Sequence, residues 1–253
     1  MRFFCITHTG MAATNDALAA ACNRPGIETV MLSPGSYTAN RDSAPAPGDV
    51  LYRAAPDVAR ARLEKLLWKP GVVAFYDDPF FEYANQTMLF QRHGMATPRT
   101  LLATNSEPAM AYRLVVVGEH VVAAEAQAQT AGGDNWRVVK PSLGAVAMAL
   151  KAARLMRVEF GGVDLLEDQD GRLVLVALDY PCDFAAQQAR SGVDIAGAMV
   201  DYLVNKCGQS PAKDKNPYAK LNLRGQPGKA LAHDTVAALT FQWSPNALRR
   251  PGY

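Results

Sequence analysis

The first eighty residues alternate apolar runs with helical patterns, and this alternation restricts the possible folds more than any other feature of the sequence. Four runs have the composition of strands, at 3–10, 27–34, 49–56 and 72–79. Helical patterns lie between them, the first capped by Thr14 or Asn15 and stopped by Pro25-Gly26, the second at 57–71. Strands that alternate with helices predict a parallel, doubly wound sheet, because each helix returns the chain between parallel strands.

The pattern changes from Tyr112 onward. Residues 112–127 contain two strand-like runs joined by Gly118-Glu119, which predicts a hairpin. A helical pattern at 143–158 precedes a second hairpin at 161–184, and another helix is predicted at 191–208. The fold class is therefore α/β. We predict three parts, namely a doubly wound domain over 1–103, an α+β domain over 104–205 and a tail over 206–253.

The tail carries most of the positive charge. From Lys206 onward, eight Lys and Arg stand against two Asp, so the tail is +6 and the rest −4, although the chain is only +2. Without regular aromatic residues among its basic ones, the tail suits a protein partner better than nucleic acid. Four scattered cysteines without a CxxC pair argue against a zinc site. With no secretory or membrane-spanning run, we expect a cytoplasmic protein.

Carboxylates stand at both strand ends of the second hairpin. Asp164 closes its first strand and Asp179 its second, while Ala177 lies where a metal-binding hairpin would need another acid. Two carboxylates without a third ligand make a poor Mg²⁺ site, so we favour strand-end acids that face water. The turn between the strands is predicted to be a solvated tip with three acids, Glu167, Asp168 and Asp170.

A second candidate site lies at the carboxyl ends of the predicted parallel strands, where open α/β sheets bind ligands. His8 lies near the end of the first strand, and Asp77 and Asp78 follow the fourth. Turn roles are simpler for all three residues, so this ligand crevice is kept as an alternative. Cys182 follows the second hairpin and is predicted to be a partly buried, inert thiol.

Four segments give the chain a family resemblance over about residues 1–205: LYRAAPDVARARLEKL, HGMATPRTLLAT, YRLVVVGEHVVAA and GGVDLLEDQDGRLVLVALDYPCDF. In this order they resemble the ATP-grasp superfamily, specifically RimK-type and glutathione-synthetase-like ligases. The resemblance implies a pre-ATP-grasp-like first domain and an ATP-grasp C-terminal subdomain. It also implies ATP and Mg²⁺ as cofactors, and the joining of a carboxylate to an amine through an acyl phosphate.

The residues that handle metal and phosphate in such ligases are only partly present. Asp164 matches the family's metal-binding Asp, whereas Ala177 replaces a Glu and Asp179 replaces an Asn. Arg113 keeps a family-like basic residue beside the sheet. The remaining positions depart from the family. Tyr83 occupies the position of a family lysine, and Val139 occupies that of an asparagine. The stretch where the family carries arginines is here Glu125, Ala126 and Gln127.

The glycine-rich lid of the family is also missing, because residues 104–111 lead directly into the hairpin at Tyr112. The truncation predicts a degenerate, non-catalytic binding or scaffolding subunit without a cofactor or bound metal. It also predicts that LVLVALD and YRLVVV present a bare apolar face, covered by the tail, a second copy or another protein. Two alternatives stay open, namely a carboxylate–amine (glutamate-type) ligase completed by another subunit, and a small-molecule binding module.

Overall fold

A three-stranded parallel sheet forms the first half of the computed structural model, which describes residues 1–35, 37, 44–76, 86–98, 108–128 and 135–208. Its strands are β1 (Arg2–Ile6), β2 (Glu28–Leu32) and β3 (Val50–Arg53), in the order β2-β1-β3. Val73 forms a further parallel bridge to Val50, at the place of the fourth predicted strand. The parallel sheet predicted from the sequence is confirmed.

Helices α1 (Ala12–Cys22) and α2 (Val58–Leu67) cover the two faces of this sheet. Because successive side chains of a strand point to opposite faces, β1 contributes to two clusters. Phe3 and Cys5 pack with α1, whereas Phe4 and Ile6 pack with α2. All described residues belong to one compact unit of the chain.

A five-stranded antiparallel sheet forms the second half. Its order is β6-β5-β4-β7-β8, and the two predicted hairpins are its β4–β5 and β7–β8 pairs. The strands are β4 (Pro108–Val117), β5 (His120–Ala128), β6 (Arg137–Val138), β7 (Phe160–Asp168) and β8 (Leu173–Asp179). The sheet positions the candidate site because it brings β4, β7 and β8 side by side.

Four helices pack around this second sheet: α3 (Gln86–Arg92), α4 (Leu143–Leu155), α5 (Ala185–Ser191) and α6 (Ile195–Lys206). Helix α4 begins at Ser142, whose side chain accepts a hydrogen bond from the Ala145 amide, and its alanine-rich face packs on β4, β5, β7 and β8. Helix α5 lies outside the helices predicted from the sequence, and it contacts β5 together with α6.

Many apolar side chains of the second sheet are buried, and the cover predicted for its apolar face stays a prediction. Leu114, Val115 and Leu175 are at most 1% exposed. Among the described large hydrophobic side chains that are exposed, Val138 lies on β6, the edge strand of this sheet, and the others lie on α2, α3, β2 and the start of α4: Met31, Val58, Leu66, Met88 and Leu143. Helices α5 and α6 cover part of the sheet, which the strand pattern alone could not show.

The helices of the described residues include none that is long and apolar enough to cross a membrane.

Candidate functional site

A row of four side chains crosses the second sheet at one level. Arg113 on β4 pairs in register with Glu125 on β5 and with Asp164 on β7, and Asp164 pairs with Ala177 on β8. Residues directly opposite each other on neighbouring strands point to the same face, so these four side chains form one line. We call Glu125, Arg113, Asp164 and Ala177 the charged row.

Arg113 and Asp164 form a bidentate ion pair in the centre of the charged row. Arg113 Nε donates to Asp164 Oδ1 and Arg113 Nη2 donates to Asp164 Oδ2, both at 2.7 Å. Asp179 Oδ2 lies 3.7 Å from the same Nη2 atom. The hydrogen bonds to Asp164 are the main cause that raises the pKa of Arg113 above its ordinary value, so this guanidinium is always charged.

A second bidentate pair ends the row on the β5 side. Arg190 of α5 donates through Nε and Nη2 to the two carboxylate oxygens of Glu125, at 2.9 and 2.7 Å. The Glu125 side chain is only 1% exposed, so it depends on this partner. Gln187, one turn earlier in α5, donates to the Arg113 carbonyl at 3.2 Å. Helix α5 therefore holds the row from above one face of the sheet.

The charged row does not fit a magnesium ion as it stands. Magnesium needs oxygen ligands, but both oxygens of Asp164 accept hydrogen bonds from Arg113, and Ala177 offers none. In the described part of the chain, no three His, Cys, Asp or Glu side chains are grouped so that they could hold a metal. The structure brings Arg113, Asp164 and Asp179 together, but as an ion-paired cluster.

Residues 180–183 connect the charged row to the first half of the chain. Cys182 is buried, and burial raises the pKa of its thiol far above the ordinary value, with nearby Arg113 acting in the opposite direction. A buried thiol with a raised pKa is not a nucleophile at neutral pH. The structure therefore agrees with the inert role predicted for Cys182 and shows it to be more fully buried than expected.

The alternative crevice has only one described member. His8 Nδ1 accepts a hydrogen bond from the Gly10 amide at 2.9 Å and caps the short 3-10 helix Thr9–Met11. This is the turn role preferred from the sequence. Asp77 and Asp78 lie outside the described residues, as does Tyr83. Val139 is described, and its backbone amide donates to the Ala124 carbonyl.

The tip of the second hairpin is not uniformly solvated, which corrects the expectation for Asp168. Asp168 is 2% exposed, and its Oδ1 accepts hydrogen bonds from the amides of Asp170 and Arg172. It therefore organises the turn. Glu167 accepts a hydrogen bond from the Tyr112 hydroxyl at 2.6 Å. Burial, followed by this bond to Glu167, raises the pKa of Tyr112 to about 12.

Sequence reasoning missed two ion pairs near the site. The sequence marks Glu125 only as a replacement for an arginine, and its partner Arg190 stands in a short helix without a clear apolar period. Arg53 and Glu64 form a buried pair, Nε to Oε2 at 2.6 Å, close to Tyr180. A charged residue at the end of an apolar strand, as in VLYR, was the one signal that could have indicated this second pair.

Comparison with known proteins supports this architecture. Residues 100–203 match the model of the RimK-like ATP-grasp domain. A probable alpha-L-glutamate ligase 2 of Hahella chejuensis (strain KCTC 2396) is 32% identical over 111 residues, 41% of this chain and 36% of that protein. A probable alpha-L-glutamate ligase of Shewanella halifaxensis (strain HAW-EB4) is 34% identical over 76 residues, 30% of this chain and 16% of that protein. The chain thus spans about a third or less of the length of these curated relatives.

Solved structures extend the likeness to most of the chain. The Chryseobacterium gregarium RiPP-associated ATP-grasp ligase, in complex with ADP and a leader and core peptide, superposes with a TM-score of 0.64 at 12% identity. That match covers 85% of this chain and 99% of the ligase chain. The macrocyclase MdnB from Microcystis aeruginosa MRC superposes with a TM-score of 0.63 at 14% identity. That match covers 81% of this chain and 99% of the MdnB chain. At such identities the likeness shows the fold alone.

The parallel sheet, the antiparallel sheet and these matches define a protein with the ATP-grasp ligase fold. Residues 100–203 match a RimK-like ATP-grasp domain, and this match relates that part of the chain to the ATP-grasp superfamily. The resemblance stated from the sequence is confirmed.

Proposed function

We propose that this protein is a degenerate ATP-grasp subunit that binds or scaffolds and does not itself activate a carboxylate with ATP. The observation that carries the proposal is the Arg113–Asp164 pair beside Ala177. The acid that would hold a metal has both oxygens engaged, and its neighbour in the row has no oxygen at all. A metal-bridged triphosphate has no set of ligands here.

The short connection before β4 also supports the proposal. Only residues 99–107 lie between residue 98 and the start of β4 at Pro108. Nine residues cannot supply a lid that cradles a triphosphate with backbone amides and excludes water from an acyl phosphate. The chain alone is therefore not expected to bind ATP or Mg²⁺ usefully.

The solved neighbours suggest what such a subunit would bind. They include an ATP-grasp ligase complexed with a minimal precursor and one with a leader and core peptide. A peptide, or the active ligase that modifies it, is therefore the partner class that we propose for this chain. Self-association is the alternative kind of partner, and the basic tail from residue 206 is expected to take part in either assembly.

A specific observation favours one competing function, namely a ligase completed by a second subunit. Asp164 and Arg113 are retained, and the curated relatives are probable glutamate ligases. In that case another chain would supply the lid and the missing ligands. The small-molecule crevice near His8 gains no support from the described residues, because the His8 ring already caps its own turn.

Phosphate release from ATP distinguishes these functions. The full-length protein would be incubated with Mg-ATP, glutamate and candidate peptides, alone and with every protein that co-purifies from its native source. We expect no release by the purified chain, and release by the complex that is unchanged when Asp164 is replaced by Asn. Release that is lost in Asp164→Asn would instead favour the shared active site, and release by the chain alone would refute the proposal.

A further inference from the structure

Two buried polar contacts fasten the segment after β8 to the first half of the chain. Thr14 in α1 is fully buried, and its hydroxyl donates to Asp183 Oδ1 at 2.7 Å. Arg53 at the end of β3 donates through Nη2 to the Tyr180 carbonyl at 3.4 Å, and its guanidinium lies 5.1 Å from the centre of the Tyr180 ring. The segment 180–183 is thus held at one end by β3 and at the other by α1.

Arg53 is itself fixed in place. Its Nε donates to Glu64 Oε2 of α2 at 2.6 Å, and its Nη1 donates to the Ala55 carbonyl at 3.0 Å. The side chains of Arg53 and Glu64 are 9% and 5% exposed. A buried guanidinium with several fixed acceptors has a single orientation, so this one joins β3, α2 and the segment after β8 rigidly.

The fastened segment continues directly from the charged row. Asp179, the residue before it, lies 3.7 Å from Arg113 Nη2 and pairs in register with Gly162 of β7. The room on the other side is small, because a Cβ added at Gly162 would lie 3.0 Å from Cys182 Cβ. A shift of residues 180–183 must therefore move Asp179 or distort β7.

We propose that Arg53 and Thr14 are positioning residues for the charged row. They touch no group of the row, but they fix residues 180–183 and thereby the distance between Asp179 and Arg113. The first half of the molecule accordingly sets the electrostatics of the row, although it contributes no side chain to it. This inference does not depend on the proposed function, because it concerns the geometry of the row in the free protein.

The inference is tested by nuclear magnetic resonance on the full-length protein. The Nε–H proton of Arg113, hydrogen-bonded to Asp164, is the reporter, together with the amides of residues 179–187. Arg53→Lys keeps the charge but cannot reach Glu64, Ala55 and Tyr180 at once. We expect exchange of the Arg113 Nε–H and of these amides to become about tenfold faster or more, with a changed Nε chemical shift.

Arg2→Lys is the matched control. Arg2 also forms a forked pair with a carboxylate, donating to Asp49 through Nε at 3.0 Å and Nη2 at 2.7 Å, but at the opposite end of the same sheet. This variant is expected to lower overall stability without changing the Arg113 reporter. If Arg2→Lys moved the reporter as much as Arg53→Lys does, the effect would be general loosening and the proposal would be overturned.

Thr14→Val provides an independent variant, because it keeps the shape of the buried side chain and removes only the hydroxyl. We expect it to accelerate exchange at 182–187 and to alter the Arg113 reporter in the same direction. The double variant with Arg53→Lys should add less than the sum of the single effects, since both act through one segment. Strict additivity, or an unmoved reporter in both single variants, would overturn the proposal.

Discussion

Ala177 is the residue whose side chain determines most about the charged row, because it is the only one of the four without charge or oxygen. Replacing it by glutamate places a third acid near Asp164 and Asp179. Arg113 already pairs with Asp164 and approaches Asp179, so the new charge gains little and repels its neighbours. We expect Ala177→Glu to lower the free energy of unfolding by about 1 kcal/mol, measured by urea denaturation.

Ala177→Gln is the control for this prediction, since it adds the same volume without the charge. At neutral pH, Ala177→Gln should lower the free energy of unfolding less than Ala177→Glu does. A gain of stability in Ala177→Glu when Mg²⁺ is added would show that the row can still assemble a metal site, and the degenerate reading of the row would then be wrong.

Two buried acids predict opposite dependences of stability on pH. Desolvation raises the pKa of Glu64, against the opposing effect of Arg53, with the tyrosines at 76 and 180 nearby. Glu64 therefore contributes fully to stability when the pH is below the ordinary pKa of a glutamate carboxyl. This contribution is lost as the pH rises through the pKa of Glu64 in the folded state. For Asp49, desolvation is outweighed by hydrogen bonds from Ala46 and Arg2, which lower its pKa, so its contribution is lost as pH falls.

The check is urea denaturation of the wild type, Glu64→Gln and Asp49→Asn at several values between pH 3 and pH 7, around the usual range of carboxyl pKa values. Glu64→Gln should lower the free energy of unfolding more at the acidic end of this pH range. Asp49→Asn should lower it more at the neutral end. Parallel curves for the two variants would contradict the assignments.

At the scale of elements, the Arg190–Glu125 ion pair contributes to the attachment of helix α5 to the sheet. Arg190→Ala leaves the buried carboxylate of Glu125 without its partner, although the partly exposed position of Arg190 lets water reduce the cost. We expect Arg190→Ala to lower the free energy of unfolding by about 2–3 kcal/mol. Thermal and urea unfolding measure it, and Arg190→Met combined with Glu125→Met should recover most of the loss. An equal loss in the double variant would show that packing, and not charge, attaches the helix.

The elements that the sequence predicted well are those with strong periodicity. The hairpin at Gly118-Glu119, the helix from residue 143 and the hairpin before residue 180 all form, because alternating or helical apolar patterns determine their local structure. Helix α5 and the Arg53–Glu64 pair were not predicted. Both depend on partners distant in sequence, Glu125 for one and α2 for the other, which a local pattern cannot reveal.

For the molecule as a whole, the sequence indicated the ATP-grasp fold, whereas association through an apolar face of the second sheet stays a prediction. Leu114, Val115 and Leu175 of that sheet are buried, whereas Val58 and Leu66 on α2 are 66% and 72% exposed. The boundaries predicted at 103 and 205 stay predictions. The absence of the lid also stays a prediction, because residues 99–107, where the family carries it, lie outside the described part of the chain.

Association through the tail also stays a prediction at this scale. Residues 209–253 carry apolar side chains among basic ones, as suits a segment that docks on a second copy or a partner. Truncation after Gly208 is expected to reduce the mass measured by light scattering, or to release the co-purifying partner. A truncated chain with the same mass, solubility and stability as the full chain would contradict this role.

The central claim is that this ATP-grasp fold does not hold a nucleotide by itself. Titration calorimetry of the full-length protein with ATP in excess Mg²⁺ tests it most directly, with a parallel titration in excess EDTA to reveal binding that needs no metal. Because Asp164 is engaged by Arg113 and Ala177 supplies no ligand, we expect no saturable heat in either titration. A magnesium-dependent isotherm with a micromolar Kd would contradict the claim.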